Sequence, residues 1–250
     1  MENASLVGLS RQVVLRRDLD IIANNVANLD TPGFRGEALL FDDFLMPVAR
    51  DPDFARPADQ RIDFVLDAGS SHDFAPGAIT QTGNPLDVAL QGDAWFVVDA
   101  NGEERYTRAG NFTVDAGGRL VTAGGLPVMS EGGPISFGPG ETDVTITPEG
   151  TVSSSAGVKG RLRLAAFDDN RVLSRIGDNL FAASNDAAPI APAGNVRIVQ
   201  GALEQSNVDG VIEMTRLIAV TRAYEQLSRL LQSQDELRDR AIGRLGRLQG

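Results

Sequence analysis

The chain has 250 residues, 42% hydrophobic and 23% charged, with a net charge of −11 and no cysteine. That length carries a sizeable core in one large domain or two smaller ones. Without thiols there is no disulfide framework, thiolate nucleophile or zinc–thiolate site, and the acidic balance disfavours nucleic acid and anionic membrane as partners.

The charge is segregated. Residues 1–36 hold four arginines and four acids and residues 201–250 hold seven of each, so the 12 basic and 23 acidic side chains of residues 37–200 carry the whole excess. The start, "MENASLVGLSRQVVLRRDLD", has no basic n-region and no unbroken apolar run, because Arg11, Arg16 and Arg17 interrupt it. It is not read as a secretory signal. No segment approaches the ~18 apolar residues of a membrane span, so direct membrane insertion is not expected. That leaves a cytoplasmic protein or one exported by a route that cleaves nothing.

Residues 3–29 are predicted helical. Leu15, Leu19, Ile22, Val26 and Leu29 step by four and three residues, a narrow heptad seam, and Leu6, Leu9 and Val13 form an earlier seam on a shifted face. "DTPGF" ends the helix: Pro32 cannot continue it, Thr31 before proline is pushed to extended geometry, and Gly33 tolerates positive φ. Three amides, Asn24, Asn25 and Asn28, crowd the last turn, where a cap needs one. They are read as register-setting groups that bond to helices or loops of adjacent chains. The plainer alternative is that Asn28 and Asp30 merely cap and stop the helix.

Residues 36–77, rich in Phe, Asp and Pro, are expected to be mostly loop with short extended pieces. From residue 78 to 200, short apolar runs alternate with turn signals at Asn101-Gly102, Gly117-Gly118, Gly124-Gly125 and Pro148-Glu149-Gly150, the pattern of an antiparallel β domain. Residues 208–248 return to helix. Met214, Leu217, Thr221, Tyr224 and Leu231 make one seam, interrupted by Ser228, and Leu227, Leu230, Leu237, Ala241 and Leu248 make another. One helical partner needs one seam, so two seams point to further copies. Arg216, Arg222 and Arg229 are read as partners of acids on adjoining chains. The fold class is α+β: N- and C-terminal helices pairing as a coiled-coil-like segment around a central antiparallel β-rich domain. The predicted parts are an N-terminal helix and assembly motif (1–36), a loop-rich linker (37–77), the β domain (78–205) and the C-terminal helix (206–250).

Little points to chemistry. His72 is the only histidine and lies in "GSSHDF", where a solvated side chain is expected. "DANGE" resembles the opening of a calcium loop, but Gly110 stands where its twelfth-position glutamate belongs, and an Asn-Gly hairpin explains it. No phosphate-binding glycine motif is present. The adjacent acids Asp42-Asp43, Glu103-Glu104 and Asp168-Asp169 fall in loops and are not read as a catalytic pair. No catalytic, cofactor or metal residue is assigned. Trp95, in "DAWFVV", reads as core.

"ANNVANLDTPGFR" resembles the N-terminal signature of bacterial flagellar axial proteins of the rod and hook, with Asp30 where many members carry Asn. "NPLDVALQGDAWFVV" and "YTRAGNFTVDAGGRLVTAGGLPV" are similar to that family's β-domain motifs. "LEQSNVDGVIEMTRLIAVTRAYEQLSRLLQ" is similar to its C-terminal signature, with "NVDGV" departing from the more usual Asn-Val-Asn. The start and the length resemble the F-type proximal-rod members most. G-type distal-rod or hook-family members are the runner-up, and a β-rich binding or adhesin-like module the remote one. The resemblance implies a structural, non-enzymatic subunit of the basal-body rod that polymerises axially and carries torque from motor to hook. It implies type III export without a cleaved signal, assembly in the periplasm, and partnership with itself, other rod proteins and the export apparatus. The terminal segments would pair in an inner tube, with the β domain further out. The assembly residues it suggests are Leu15, Leu19, Ile22, Asn24, Asn25, Val26, Asn28, Leu29, Thr31, Gly33 and Phe34 at the front. At the back they are Asn207, Met214, Leu217, Arg222, Tyr224 and Leu231.

Overall fold

The computed structural model describes residues 2–47, 61–184, 187–192, 194 and 196–246. The class is α+β. The chain divides into two compact units: Met1–Ala27, Glu37–Ser71 and Asp209–Gly250 make a helical unit, and Asn28–Gly36 with His72–Val208 make a β unit.

In the helical unit, α1 (Glu2–Ala27) precedes β1 (Glu37–Pro47) and β2 (Arg61–His72), and α2 (Gly210–Gly246) closes the chain. The stretch expected to be mostly loop therefore holds two long strands, which pair as a two-stranded sheet. The helices pack on each other. A Cβ on Gly8 would lie 2.7 Å from Leu231 Cδ2, Gln12 Nε2 donates to Tyr224 Oη and Ser228 Oγ (3.2 Å each), and Arg216 Nη2 meets Asp18 Oδ1 at 3.2 Å. Partner numbers fall along α2 as they rise along α1, so the pair is antiparallel. A second apolar face of α1, Val14 and Ile21, packs against Leu39 of β1. Asp209 caps α2: its Oδ1 accepts from Val211 N (2.9 Å) and Ile212 N (3.1 Å), satisfying two donors that a helix start leaves open.

The β unit runs β3 (Ile79–Gln81), β4 (Val88–Gln91), β5 (Trp95–Ala100), β6 (Glu103–Thr107), β7 (Thr113–Val114), β8 (Leu120–Val121) and β9 (Met129–Ser130). It continues through β10 (Gly133–Pro134), β11 (Thr145–Ile146), β12 (Thr151–Ser154), β13 (Gly157–Arg161) and β14 (Leu164–Ala165). Last come β15 (Leu173–Gly177), β16 (Leu180–Ala183), β17 (Arg197–Gln200) and β18 (Ala202–Glu204). Five strands form the main sheet in the order β14-β5-β6-β16-β15, all antiparallel. β11-β12-β13 form a second sheet, and β4 pairs with β17 and β3 with β18.

"WFVV" in β5 is apolar throughout because both of its faces are covered. Phe96 and Val98 join one core cluster with Phe112, Leu120 and Ile135; Trp95 and Val97 join a second with Tyr106, Phe167 and Phe181. The Asn101-Gly102 hairpin forms as its sequence predicts, both residues at positive φ, and Asp99 Oδ1 accepts from Gly102 N at 2.7 Å. His72 is half-buried and not fully solvated as expected: it stands edge-on to Phe74 and Phe181, ring centroids 6.1 and 5.6 Å away.

The chain's one lysine holds the second sheet. Glu141 accepts from Lys159 Nζ, Ser154 Oγ and the Gly138 amide, and these bonds, Lys159 first and Ser154 next, pull its carboxyl from the usual 4.5 to about 2. Because the folded value is depressed, the contribution is complete above pH 4.5 and is lost as pH falls from there towards 2. A carboxyl NMR titration of Glu141 should give a midpoint near 2, and Lys159→Met should raise it. A wild-type midpoint in the ordinary glutamate range would break this account.

Candidate assembly site

The site has two parts: the turn after α1, and the outward faces of the helices.

The turn falls with the β unit, which grips it from several sides. Thr31 N donates to Asn28 O and Phe34 N to Thr31 O (3.2 Å each), and Thr31 Oγ1 donates to Asn28 Oδ1 at 3.0 Å. Gly33 takes φ +66°, and its N–H donates to Glu204 O at 2.7 Å. Its Cα passes so close to the backbone just after β6 that a Cβ would sit 2.4 Å from the carbonyl carbon of Arg108. Phe34 is buried, and the Arg175 guanidinium lies 4.0 Å above its ring. Asn179 Nδ2 donates to Pro32 O at 2.8 Å. Asn207 closes the turn from the far end of the unit: its Oδ1 accepts from Gly36 N (2.7 Å), and its Nδ2 donates to Asp73 O (2.8 Å) and Ala75 O (3.0 Å).

Under the turn lies a buried charge cluster. Arg35, Arg108 and Glu204 are 0%, 3% and 1% exposed. Arg35 Nη2 stands 2.7 Å from Glu204 Oε1, an ion contact off the line of a hydrogen bond, and Arg108 Nη1 stands 3.3 Å from Oε2. Arg35 Nη1 donates to Ala75 O and Arg108 Nη2 to Gly92 O (2.7 Å each), while Glu204 Oε1 also accepts from Gly77 N at 3.0 Å. Burial pushes the Arg108 guanidinium down to about 10, against the opposing pull of Glu204. It stays charged at neutral pH, and the cluster carries two positive charges to one negative.

Asn25 is buried, and both ends of its amide are used inside the chain: Nδ2 donates to Glu37 O at 2.8 Å and Oδ1 accepts from Glu37 N at 3.0 Å. That departs from the expected bonds to adjacent chains. The reason is that β1 begins beside the last turn of α1 and needs exactly this donor–acceptor pair to start it. Asn28 is likewise engaged locally, and Asn24 is exposed. α1 ends at Ala27, so Leu29 lies in the turn and not on the helical seam. Ile22 is fully buried, and Leu15, Leu19 and Val26 are half-buried.

The seams of α2 rearrange. The stripe turned inward is Glu213, Leu217, Val220, Tyr224, Leu227 and Leu231, again at steps of four and three. Met214 and Thr221, expected on that seam, are exposed, and Leu227, assigned to the other, belongs to it. At 100° per residue two apolar stripes are left outward. One is Val211, Met214 and Ile218 (77%, 52% and 55% exposed), the other Ile212, Leu230 and Leu237. Arg216 is engaged within the chain by Asp18 and Glu213, and Arg229 by Glu225 one turn earlier; Arg222 is exposed. On α1, Leu9 and Val13 are exposed, and Val13 borders a cavity of about 440 Å³ with Arg16, Arg17, Asp20 and Glu37. Ala241 and Leu248 lie outside the described side chains.

The buried triad was missed by sequence reading, because Arg35, Arg108 and Glu204 are far apart and each sits in an unremarkable polar context. The three signals that did stand out, the front, middle and back motifs, match three family models. These are the flagella basal body rod protein model at residues 6–35, the flagellar hook protein FlgE/F/G D1 domain at 89–154, and the flagellar basal body rod FlgEFG protein C-terminal at 199–244. The chain is 43% identical over 249 residues to the flagellar basal-body rod protein FlgF of Caulobacter vibrioides, covering 99% of this chain and all of the relative. It is 37% identical to FlgF of Salmonella typhimurium over 88% of this chain and 89% of that protein. Against the flagellar basal-body rod protein FlgG of Agrobacterium fabrum it is 35% identical, covering 88% and 90%. The chain belongs to the flagellar basal-body rod protein family, on its F-type branch.

Proposed function

We propose that this chain is a structural subunit of the bacterial flagellar basal-body rod that polymerises axially and carries torque from motor to hook. Its family is structural, and the chain is not an enzyme. The observation that carries the mechanical reading is the division of α2 into one inward stripe, satisfied by α1, and two outward apolar stripes that are exposed among the described residues. Exposed apolar stripes of this extent mark protein–protein contact. The antiparallel helix pair acts as a coiled-coil-like element whose outer faces meet other copies and other rod proteins, and the Val13 groove offers a complementary recess for the Met214–Ile218 stripe. Export through the flagellar type III apparatus and assembly in the periplasm fit the family and the absence of cysteine.

The test is complementation of a gene deletion. The deletion should abolish swimming and leave truncated rods in isolated basal bodies. Wild type should restore both. Met214→Glu/Ile218→Glu should be exported and folded, with unchanged circular dichroism, yet leave rods truncated. Complete rods in the deletion strain would reject the rod role. Full rescue by the double variant would reject the outward stripe as the assembly face.

A further inference from the structure

The main sheet of the β unit has two unlike edges. At the β14 edge, Leu164 lines a surface cavity of about 570 Å³ with Pro148, Val196, three arginines (Arg161, Arg163 and Arg197) and two acids (Glu131 and Glu149). That volume is in the range of sites that hold a compact group. Two of the arginines already have partners: Arg163 Nη1 lies 2.6 Å from Glu104, and Arg161 Nη1 lies 3.6 Å from Glu131 while its Nε donates to Glu149 O at 2.9 Å. Arg197 has none among the described residues. An arginine-rich recess is the exception on a stretch that carries the chain's entire acidic excess.

At the opposite edge, β15 turns into β16 through Asp178 and Asn179, both at positive φ (48° and 57°). The pairing shifts between Arg175 and Gly177, so Ile176 is bulged out with no cross-strand partner and is 49% exposed. Asp178 is exposed and has no partner among the described residues. The corner thus presents one apolar and one anionic side chain side by side. The recess presents an apolar floor beside an uncommitted cation.

We propose that the recess at β14 receives the Ile176–Asp178 corner of a second copy of this chain, Ile176 against Leu164, Val196 and Pro148, and the Asp178 carboxylate on Arg197. The two halves lie on opposite edges of one five-stranded sheet, about 19 Å apart at ordinary strand spacing. Each copy therefore offers both halves, and the contact is head-to-tail, the class that builds rings or helical filaments and not closed two-fold pairs. It rests on the rod reading for the presence of neighbouring copies, but it uses the β unit and not the helices.

The experiment is photo-crosslinking in cells that assemble basal bodies, with p-benzoylphenylalanine at Val196 and, as a second position, at Pro148. The expected product has twice the mass of the chain and joins the probe to the peptide spanning residues 173–183. Asp178→Arg should weaken it about tenfold or more, and adding Arg197→Glu should restore it. A crosslink to another protein or to another segment, or none while the probe-bearing chain is present in basal bodies, overturns the contact and leaves the rod reading intact. Absence of even the wild-type chain from basal bodies overturns both.

Discussion

Glu204→Ala should destabilise the β unit by about 3–5 kcal/mol, because it removes the carboxylate that both buried guanidiniums meet and leaves Arg108 only the exposed Asp93. Neither arginine can escape: Arg35 and Arg108 are 0% and 3% exposed, and the Nε of each already lacks an acceptor among the described residues. The measurement is urea unfolding followed by fluorescence of Trp95, the chain's only tryptophan, which is buried in this unit with the Arg108 guanidinium 5.4 Å from its ring. Glu204→Gln keeps one acceptor oxygen, enough for Gly77 N and Arg35, but puts an amide donor where Arg108 now meets a carboxylate oxygen, and it should fall between wild type and alanine. Replacing all three charges at once, Arg35→Met/Glu204→Leu/Arg108→Met, should be far milder than Glu204→Ala, since no charge is then buried alone. If the triple replacement proved as damaging as the single one, the three charges would not be acting as a unit.

The cluster explains why the turn belongs to the β unit although the chain reaches it directly from α1. Arg35 ends the turn, Glu204 ends β18, and Arg108 follows β6. Their meeting ties the front of the chain to residues 73–77 and to the end of the β unit, where Asn207 adds bonds to Gly36, Asp73 and Ala75. A truncation that removed residues 1–36 would therefore take Arg35 out of the charge cluster of a unit that is otherwise built from residues 72–208.

Much of the fold was legible because it is written locally. The 4-3 spacing of Leu15, Leu19 and Ile22, the proline stop, and the Asn-Gly and Gly-Gly turns each act within a few residues, and each element formed near its expected place. The ribbon of β1 and β2 was not read, although Ile62, Phe64 and Leu66 recur at every second residue of "RIDFVLD"; Val65 between them and the acids and prolines around them masked a period of two. The α2 seam was misassigned for a different reason. Its apolar residues lie on three stripes, and sequence spacing cannot say which one α1 will cover. The same limit applies to Asn25. The spacing showed that the amide needs partners, but only the fold brings the backbone of Glu37 to it. The charge triad depends on three distant positions and left no local trace.

Gly33→Ala should cost about 3 kcal/mol or more, well beyond the roughly 1 kcal/mol of placing an alanine at positive φ. Two effects combine there. The backbone is at φ +66°, and the added methyl would sit 2.4 Å from the Arg108 carbonyl carbon and 2.5 Å from its oxygen, atoms of β-unit backbone that no rotamer change can move aside. Relief requires the turn to lift, which lengthens the 2.7 Å bond from Gly33 N to Glu204 O and draws Arg35 off its carboxylate. Gly125 supplies the control. It has φ +82° with nothing within 4 Å of its would-be Cβ, so Gly125→Ala carries the conformational penalty alone. Urea midpoints read from Trp95 should separate the two variants by about 2 kcal/mol, with Gly33→Ala the lower. Equal losses at both glycines would mean that the close approach of the turn to the backbone just after β6 contributes nothing, and that Gly33 is required only for its backbone angle.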